Sequence, residues 1–162
     1  MKSLIIYDSI FGNTEQIARA IGSSLGSLDD VRVLRVSDVH PEQLGKLDLL
    51  VVGSPTRGFR PTPAITNFLK NISNDSLQGV KATAFDTRIA PNDIGSPVLR
   101  TFVKIGGYAA GPIANGLKKK GASLIKPPEG FFVKESEGPL KAGELERAAV
   151  WASQIDEACK LH

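Results

Sequence analysis

Short, almost wholly apolar runs alternate with amphipathic helical patterns from one end of this chain to the other. The runs fall at residues 4–7, 31–36, 47–52, 80–85 and 122–125, and 130–133 reads as an extension of the last. A strand that is apolar throughout, rather than at every second position, is buried on both faces, which requires helices on both sides of a parallel sheet. The alternation therefore predicts an α/β chain of stacked β-α-β units. At 162 residues, 41% hydrophobic and 23% charged, the chain has the size and composition of one globular domain spanning 1–162. Collagen-like, coiled-coil and disordered classes are excluded.

The helices carry their own start signals. Asn13 is placed to cap a first helix, Gln16 completes a capping-box pattern, and Ile17, Ile21 and Leu25 share one face. Thr62-Pro63 reads as a cap followed by proline at the first helical position, with Ile65, Phe68, Leu69 and Ile72 following at helical spacing. A third helix is expected over 108–120 with Pro112 in its first turn. A fourth is expected over 142–160, with Leu145, Ala148, Ala149, Ala152 and Ile155 facing inward and Trp151 in the core. Between 87 and 107 the chain is rich in proline and glycine. Either Ser96-Pro97 starts a short helix through 104, or the segment is a long functional loop.

Several function classes fall away. Twenty basic against 17 acidic residues leave a net charge of +3, spread evenly along the chain. The one tight basic run, Lys118-Lys119-Lys120 before Gly121, suits a helix C-terminus rather than a nucleic-acid surface. Cys159 is the single cysteine, so no disulfide can form within the chain, and a reducing, cytoplasmic setting is expected. The apolar run in MKSLIIYD is too short for a signal sequence or a membrane span. His40, His162 and Cys159 have no metal-ligand spacing.

The first strand is followed by DSIFGNTEQIARAI. A polar, glycine-containing turn feeding a helix leaves backbone N–H groups and the positive end of the helix dipole aimed at one place, which is an anion site. Ser9, Asn13 and Thr14 add side-chain donors, and Gly12 lets the backbone approach a ligand oxygen. Neither GxGxxG nor GxxxxGK[ST] occurs, so dinucleotide and NTPase loops are excluded. Asp8, Thr87 and Lys126 echo a phosphoacceptor receiver, but the third strand ends in VVGSPT without an acceptor aspartate.

Three segments, YDSIFGNTEQIARAI, GSPTRGFRPTPAITNFL and GPLKAGELERAAVWASQI, resemble the flavodoxin-like FMN-binding family, and within it the FMN domains of flavodiiron-type proteins. The resemblance implies a doubly wound five-stranded parallel sheet of order 2-1-3-4-5 with helices on both faces and the ligand at the switch point. It also implies that Ser9, Ile10, Phe11, Gly12, Asn13 and Thr14 wrap the FMN phosphate. Pro55, Thr56, Arg57, Gly58 and Phe59 would line the isoalloxazine, Gly58 near its N5, and Thr87 and Arg88 would begin a second flavin loop. Phe11 stands where many members carry a hydroxyl, and the usual stacking tyrosine has no obvious counterpart, which leaves Tyr108 or Phe102. Asp86 either contacts the flavin or caps a loop.

The implied activity is electron transfer between redox partner proteins. Arg57, Arg60 and Arg88 on the flavin loops would stabilise negative charge on the ring and raise the second reduction potential, and they would also suit an acidic partner. An FMN-dependent reductase of NAD(P)H or quinone, and a flavin-free interaction domain of the same fold, are the alternatives.

Overall fold

The computed structural model describes residues 1–26 and 30–161, and of Phe102, Lys104, Ile105 and Gly106 it describes the backbone alone. The elements follow in the order β1 (Ser3–Tyr7), α1 (Asn13–Ser24), β2 (Val31–Arg35), β3 (Leu49–Pro55), α2 (Pro63–Asn71), β4 (Lys81–Ile89), α3 (Pro97–Gly106), α4 (Ala110–Lys119), β5 (Ser123–Leu124), β6 (Glu129–Val133) and α5 (Glu144–Leu161). The sheet is parallel throughout, in the order β2-β1-β3-β4-β5, as the resemblance implied. A sixth strand, β6, also pairs with β4.

The two last strands divide one position in the sheet. β5 lies against Lys81 and Ala82, and β6 lies against Phe85 to Ile89 farther along the same strand. Between them run Lys126, Pro127 and Pro128, where the prolines have no N–H to give to a ladder. The loop that leaves β6 consequently emerges at the same edge of the sheet as those leaving β1, β3 and β4.

Alternation along the central strands sorts side chains to two cores. Leu4, Ile6, Leu50, Val52, Ala82 and Ala84 meet Ile65 and Leu69 of α2 and Ile113 and Leu117 of α4. On the other face Ile5, Tyr7, Leu49, Val51 and Phe85 meet Ile17 and Ile21 of α1 and Trp151 and Ile155 of α5. Phe85, Phe131 and Trp151 pack edge to face, with centroids 5.9–6.4 Å apart. Gly53 makes room for them, since a Cβ there would sit 2.1 Å from the Phe85 ring.

Three local expectations are corrected. Gly12, not Asn13, is the N-cap of α1, with φ 90°, a conformation that favours glycine. β4 runs on to Ile89, so Thr87 and Arg88 are strand residues rather than the start of a loop. Of the two readings of residues 87–107, the helix started by Ser96-Pro97 is the one that forms: the segment holds a short 3-10 turn and the ten-residue helix α3, capped by Ser96 and ended at Gly107 with φ 75°. On α5, Leu145 is 41% exposed, while Ala148, Trp151, Ala152, Ile155 and Cys159 are buried. The buried Glu144 carboxylate accepts the Phe132 N–H at 2.7 Å, and this anchor points the neighbouring position 145 away from the sheet. The cap at Thr62 is as expected, its hydroxyl accepting the Ile65 N–H at 3.4 Å.

Two polar clamps hold the ligand-side edge together. Asp86, wholly buried, accepts two hydrogen bonds from the Arg88 guanidinium at 2.6 and 2.7 Å and the Ala110 N–H at 2.9 Å. The Thr56 hydroxyl accepts the Ala109 N–H at 3.0 Å, so two distant side chains satisfy the start of α4. Burial pushes the Asp86 carboxyl up, against the pull of Arg88 and Ala110. At the second clamp, burial of Glu144 is outweighed by hydrogen bonds from Arg147 and the Phe132 N–H, and its carboxyl lies below the ordinary 4.5.

Asp86→Ala strands a partly buried guanidinium and an amide, so it should destabilise the fold by about 3–5 kcal/mol. The double variant Asp86→Ala/Arg88→Ala should recover part of that loss in urea denaturation. The depressed Glu144 value means that its contribution is present above pH 4.5 and is lost as pH falls through its lower folded-state value. Glu144→Gln should therefore cost about 1–3 kcal/mol near neutral pH. Thermal melts across this range should show the two proteins converging on acidification.

Candidate functional site

The connections from β1 and β3 leave the sheet in opposite directions, one through α1 to β2 and the other through α2 to β4, and open a crevice at the switch point. On one side of it, the Ser9 hydroxyl accepts N–H groups from Gly12 at 3.1 Å and Glu15 at 3.4 Å, folding residues 8–12 into a tight loop. Among the described residues, the N–H groups of Ile10, Phe11, Asn13 and Thr14 have no protein acceptor. The hydroxyls of Thr14 and Thr87 lie 2.8 Å apart and join the start of α1 to the end of β4. The Asn13 amide is turned aside, donating to the Glu137 carbonyl at 3.1 Å in the loop after β6.

Across the crevice is the turn after β3. Arg57 and Arg60 exchange backbone hydrogen bonds of 2.8 and 3.1 Å around Gly58 and Phe59, whose φ values are 54° and 67°. Two successive positive φ values are those of a type I′ turn, and Phe59 adopts one without glycine's freedom. The Ser54 hydroxyl accepts the Thr62 N–H at 3.0 Å and closes the loop, and the Thr56 N–H donates to the Thr87 carbonyl at 3.0 Å.

A pocket of about 70 Å³ lies between these loops. Of the fourteen residues expected at a cofactor, Ser9, Ile10, Phe11, Asn13, Thr14, Pro55, Thr56, Arg57, Thr87 and Arg88 line it. Gly12 shapes the loop from behind, and Gly58, Phe59 and Tyr108 stand outside the lining. Ile89, Val133 and Ser136 complete the wall, and sequence reasoning missed them. The signal for the last two was present: a parallel strand at 130–133 must deliver its following loop to the same edge as the other strands.

This donor set fits a phosphate. N–H groups without an acceptor among the described residues lie at the positive end of a twelve-residue helix, hydroxyls stand beside them, and no carboxylate lines the pocket. The volume is far below the roughly 300–1,000 Å³ of pockets that enclose drug-sized ligands, so it admits a small group and leaves the rest of a ligand outside. A larger cavity of about 600 Å³ lies elsewhere, between residues 36–45 and 64–76, and no charged residue lines it.

The charges differ from expectation in one respect. Arg88 is bound to Asp86, lies 3.8 Å from the centroid of the Tyr108 ring, and fills the space that a side chain at Gly130 would take. Its charge is already matched, so it adds little positive potential at a ligand. The Tyr108 hydroxyl donates to the Ile89 carbonyl at 3.3 Å, and burial pushes its pKa up. Asp86 thus serves as the cap of α4. The Phe102 side chain lies outside the described residues. Arg57 and Arg60 remain exposed, with the Arg57 guanidinium 5.6 Å from the centroid of the 45% exposed Phe11 ring. Among the described residues no group of three His, Cys, Asp or Glu side chains could hold a metal, and no helix is long and apolar enough to cross a membrane.

Comparison with known proteins agrees with the fold and the loop. The family model for flavodoxin matches residues 5–87, which spans both loops of the crevice. A probable flavodoxin 1 from Bacillus subtilis (strain 168) is 30% identical over 86 residues, 52% of this chain and 54% of that protein, so the match spans about half the length of the relative. Among solved structures, a flavodoxin from the domain Archaea superposes with a TM-score of 0.77 at 24% identity, covering 99% of both chains. The rubredoxin:oxygen oxidoreductase of Desulfovibrio gigas superposes with a TM-score of 0.65 at 21% identity, covering 99% of this chain and 36% of that one. Proteins of the matched family bind FMN and transfer electrons. With its sheet order, its open loop after β1 and the family match over residues 5–87, this chain belongs to the flavodoxin family.

Proposed function

We propose that residues 1–162 form one flavin domain that carries electrons between redox proteins in the cytoplasm, with FMN held by its phosphate in the loop after β1. The observation that carries this reading is the set of open N–H groups at Ile10, Phe11, Asn13 and Thr14 beside the Thr14 and Thr87 hydroxyls. Ser9 and Gly12 keep that loop in shape. Pro55, Thr56, Arg57, Gly58 and Phe59 would border the ring on one side, with Thr87, Arg88 and Tyr108 on the other. The bound cofactor supplies the redox chemistry, so the chain needs no acid or base of its own. The domain's part is to hold the phosphate, limit access of water and set the potential. A buried, unpaired Cys159 suits a reducing compartment.

A visible spectrum taken before and after addition of FMN should show flavin bands with quenched fluorescence. Thr14→Val keeps the side-chain shape but removes a hydroxyl, and should weaken FMN binding about tenfold, or about 1.4 kcal/mol. NADPH added alone should leave the bands in place. Rapid bleaching would favour the reductase reading, and failure to take up FMN at micromolar excess would leave a flavin-free domain of this fold.

The exposed Arg57 is the cation of the ring-flanking turn that lies beside the pocket. Because Arg88 is matched by Asp86, Arg57 rather than Arg88 should raise the second reduction potential of the bound flavin. Redox titration of Arg57→Gln should give a more negative value than the wild type, with the difference shrinking at high salt.

A further inference from the structure

The last residue of β2, Arg35, faces Tyr7 across the β1–β2 ladder and reaches over the end of β1. One of its Nη1 hydrogens goes to the Ser9 carbonyl at 2.9 Å, and the same nitrogen lies 3.3 Å from Asp8 Oδ1. The same carboxylate oxygen accepts the Ser9 N–H at 2.9 Å, so Arg35 and Asp8 grip both ends of residue 9. The guanidinium stands 5.4 Å from the centroid of the Tyr7 ring, and its Nη2 lies 3.9 Å from Glu15 on the first turn of α1. Glu15 is itself held by Arg19 and the Tyr7 hydroxyl, which keep its carboxyl below the usual range.

We infer that Arg35 is a positioning residue for the phosphate loop, acting through the peptide between Ser9 and Ile10. In a trans peptide the C=O and the following N–H point in opposite directions. A carbonyl drawn to Arg35 therefore directs the Ile10 N–H away from it, and that N–H is one of the four in this loop and helix start without a protein acceptor among the described residues. The Ser9 hydroxyl closes the loop, but among the described residues the Ser9–Ile10 peptide itself has no hydrogen bond other than that from Arg35, and Ile10 and Phe11 are 51% and 45% exposed. The role is geometric rather than a matter of charge: Asp8 and Glu15 flank the guanidinium and offset most of its field. Ser9, Ile10 and Thr14 contact the pocket, whereas Arg35 does not line it.

The inference rests on the phosphate-binding reading above, and its test separates the two. Dissociation constants for FMN and for riboflavin, which lacks the phosphate, are measured by flavin fluorescence quenching for the wild type, Arg35→Ala, Arg35→Gln and Arg35→Lys. Arg35→Ala is expected to weaken FMN about tenfold while leaving riboflavin within about twofold. Arg35→Lys, which keeps one donor, is expected to recover part of the loss. Raising the salt should alter FMN binding equally in the wild type and Arg35→Ala. Arg35→Gln, milder at an edge strand, takes the place of the alanine variant if that protein melts at low temperature. If the wild type prefers FMN to riboflavin and the variants keep the same preference, the positioning role is overturned and the phosphate site stands. If the wild type shows no preference for FMN, the phosphate site and the inference fall together.

Discussion

Burial of β1, β3 and β4 on both faces is the constraint from which the rest of this structure follows. Strands covered by helices on two sides are joined here in parallel, and parallel strands can be connected only by crossovers, which return every strand in the same direction. All the β-to-α connections therefore open at one edge, and they part where the chain reverses its winding between β1 and β3. No residue of the loops is needed to create that crevice. They need only be polar and conformationally able to fill it, which Gly12 and the Gly58-Phe59 turn provide.

Within the edge, hydrogen-bonding capacity is divided unevenly. The start of α4 is satisfied by Thr56 and Asp86, the turn after β3 is closed by Ser54 and by its own backbone, and the loop after β6 is tied to Asn13. At the start of α1 the Asn13 and Thr14 N–H groups have no acceptor among the described residues, and neither do those of Ile10 and Phe11 in the loop before it. A helix terminus preceded by further open donors and set at the foot of a crevice is the physical signature of a place for an anion. Arg35 belongs to the closed set and serves the open one, since its bond to the Ser9 carbonyl restrains the peptide that carries one of the free donors.

The same division governs charge. Three arginines lie on the two ring-flanking segments, yet their roles differ because of what each meets. Arg88 returns along its own strand to the buried Asp86, two residues back on the same face, and is covered by Tyr108. Arg57 and Arg60 occupy a turn that projects from the sheet and keep their solvent-facing charge. Spacing alone places a cation and a carboxylate at i and i+2 on one side of a strand, but only if position 88 is still strand. The apolar pattern stops at Phe85, so the longer β4 was invisible, and with it the pairing that neutralises Arg88.

The apolar runs, the Thr62-Pro63 start signal and the polar loop before α1 were enough to specify a parallel α/β sheet and one side of the crevice, because they rest on local conformational preference and on which segments must be buried, while the order of the strands came from the family resemblance. What lay beyond reach depended on groups far apart in the chain. The transfer of Asn13 from cap to cross-link, the capping of α4 by Thr56 and Asp86, the outward turn of Leu145 beside Glu144, and the reach of Arg35 to Ser9 each join residues brought together only by packing. A side chain with several possible partners takes the one that leaves fewest buried polar groups unsatisfied, and that choice is made over the whole folded structure. The family and its sheet were therefore legible along the chain, while the distribution of free and engaged donors, on which binding depends, was decided by the tertiary structure.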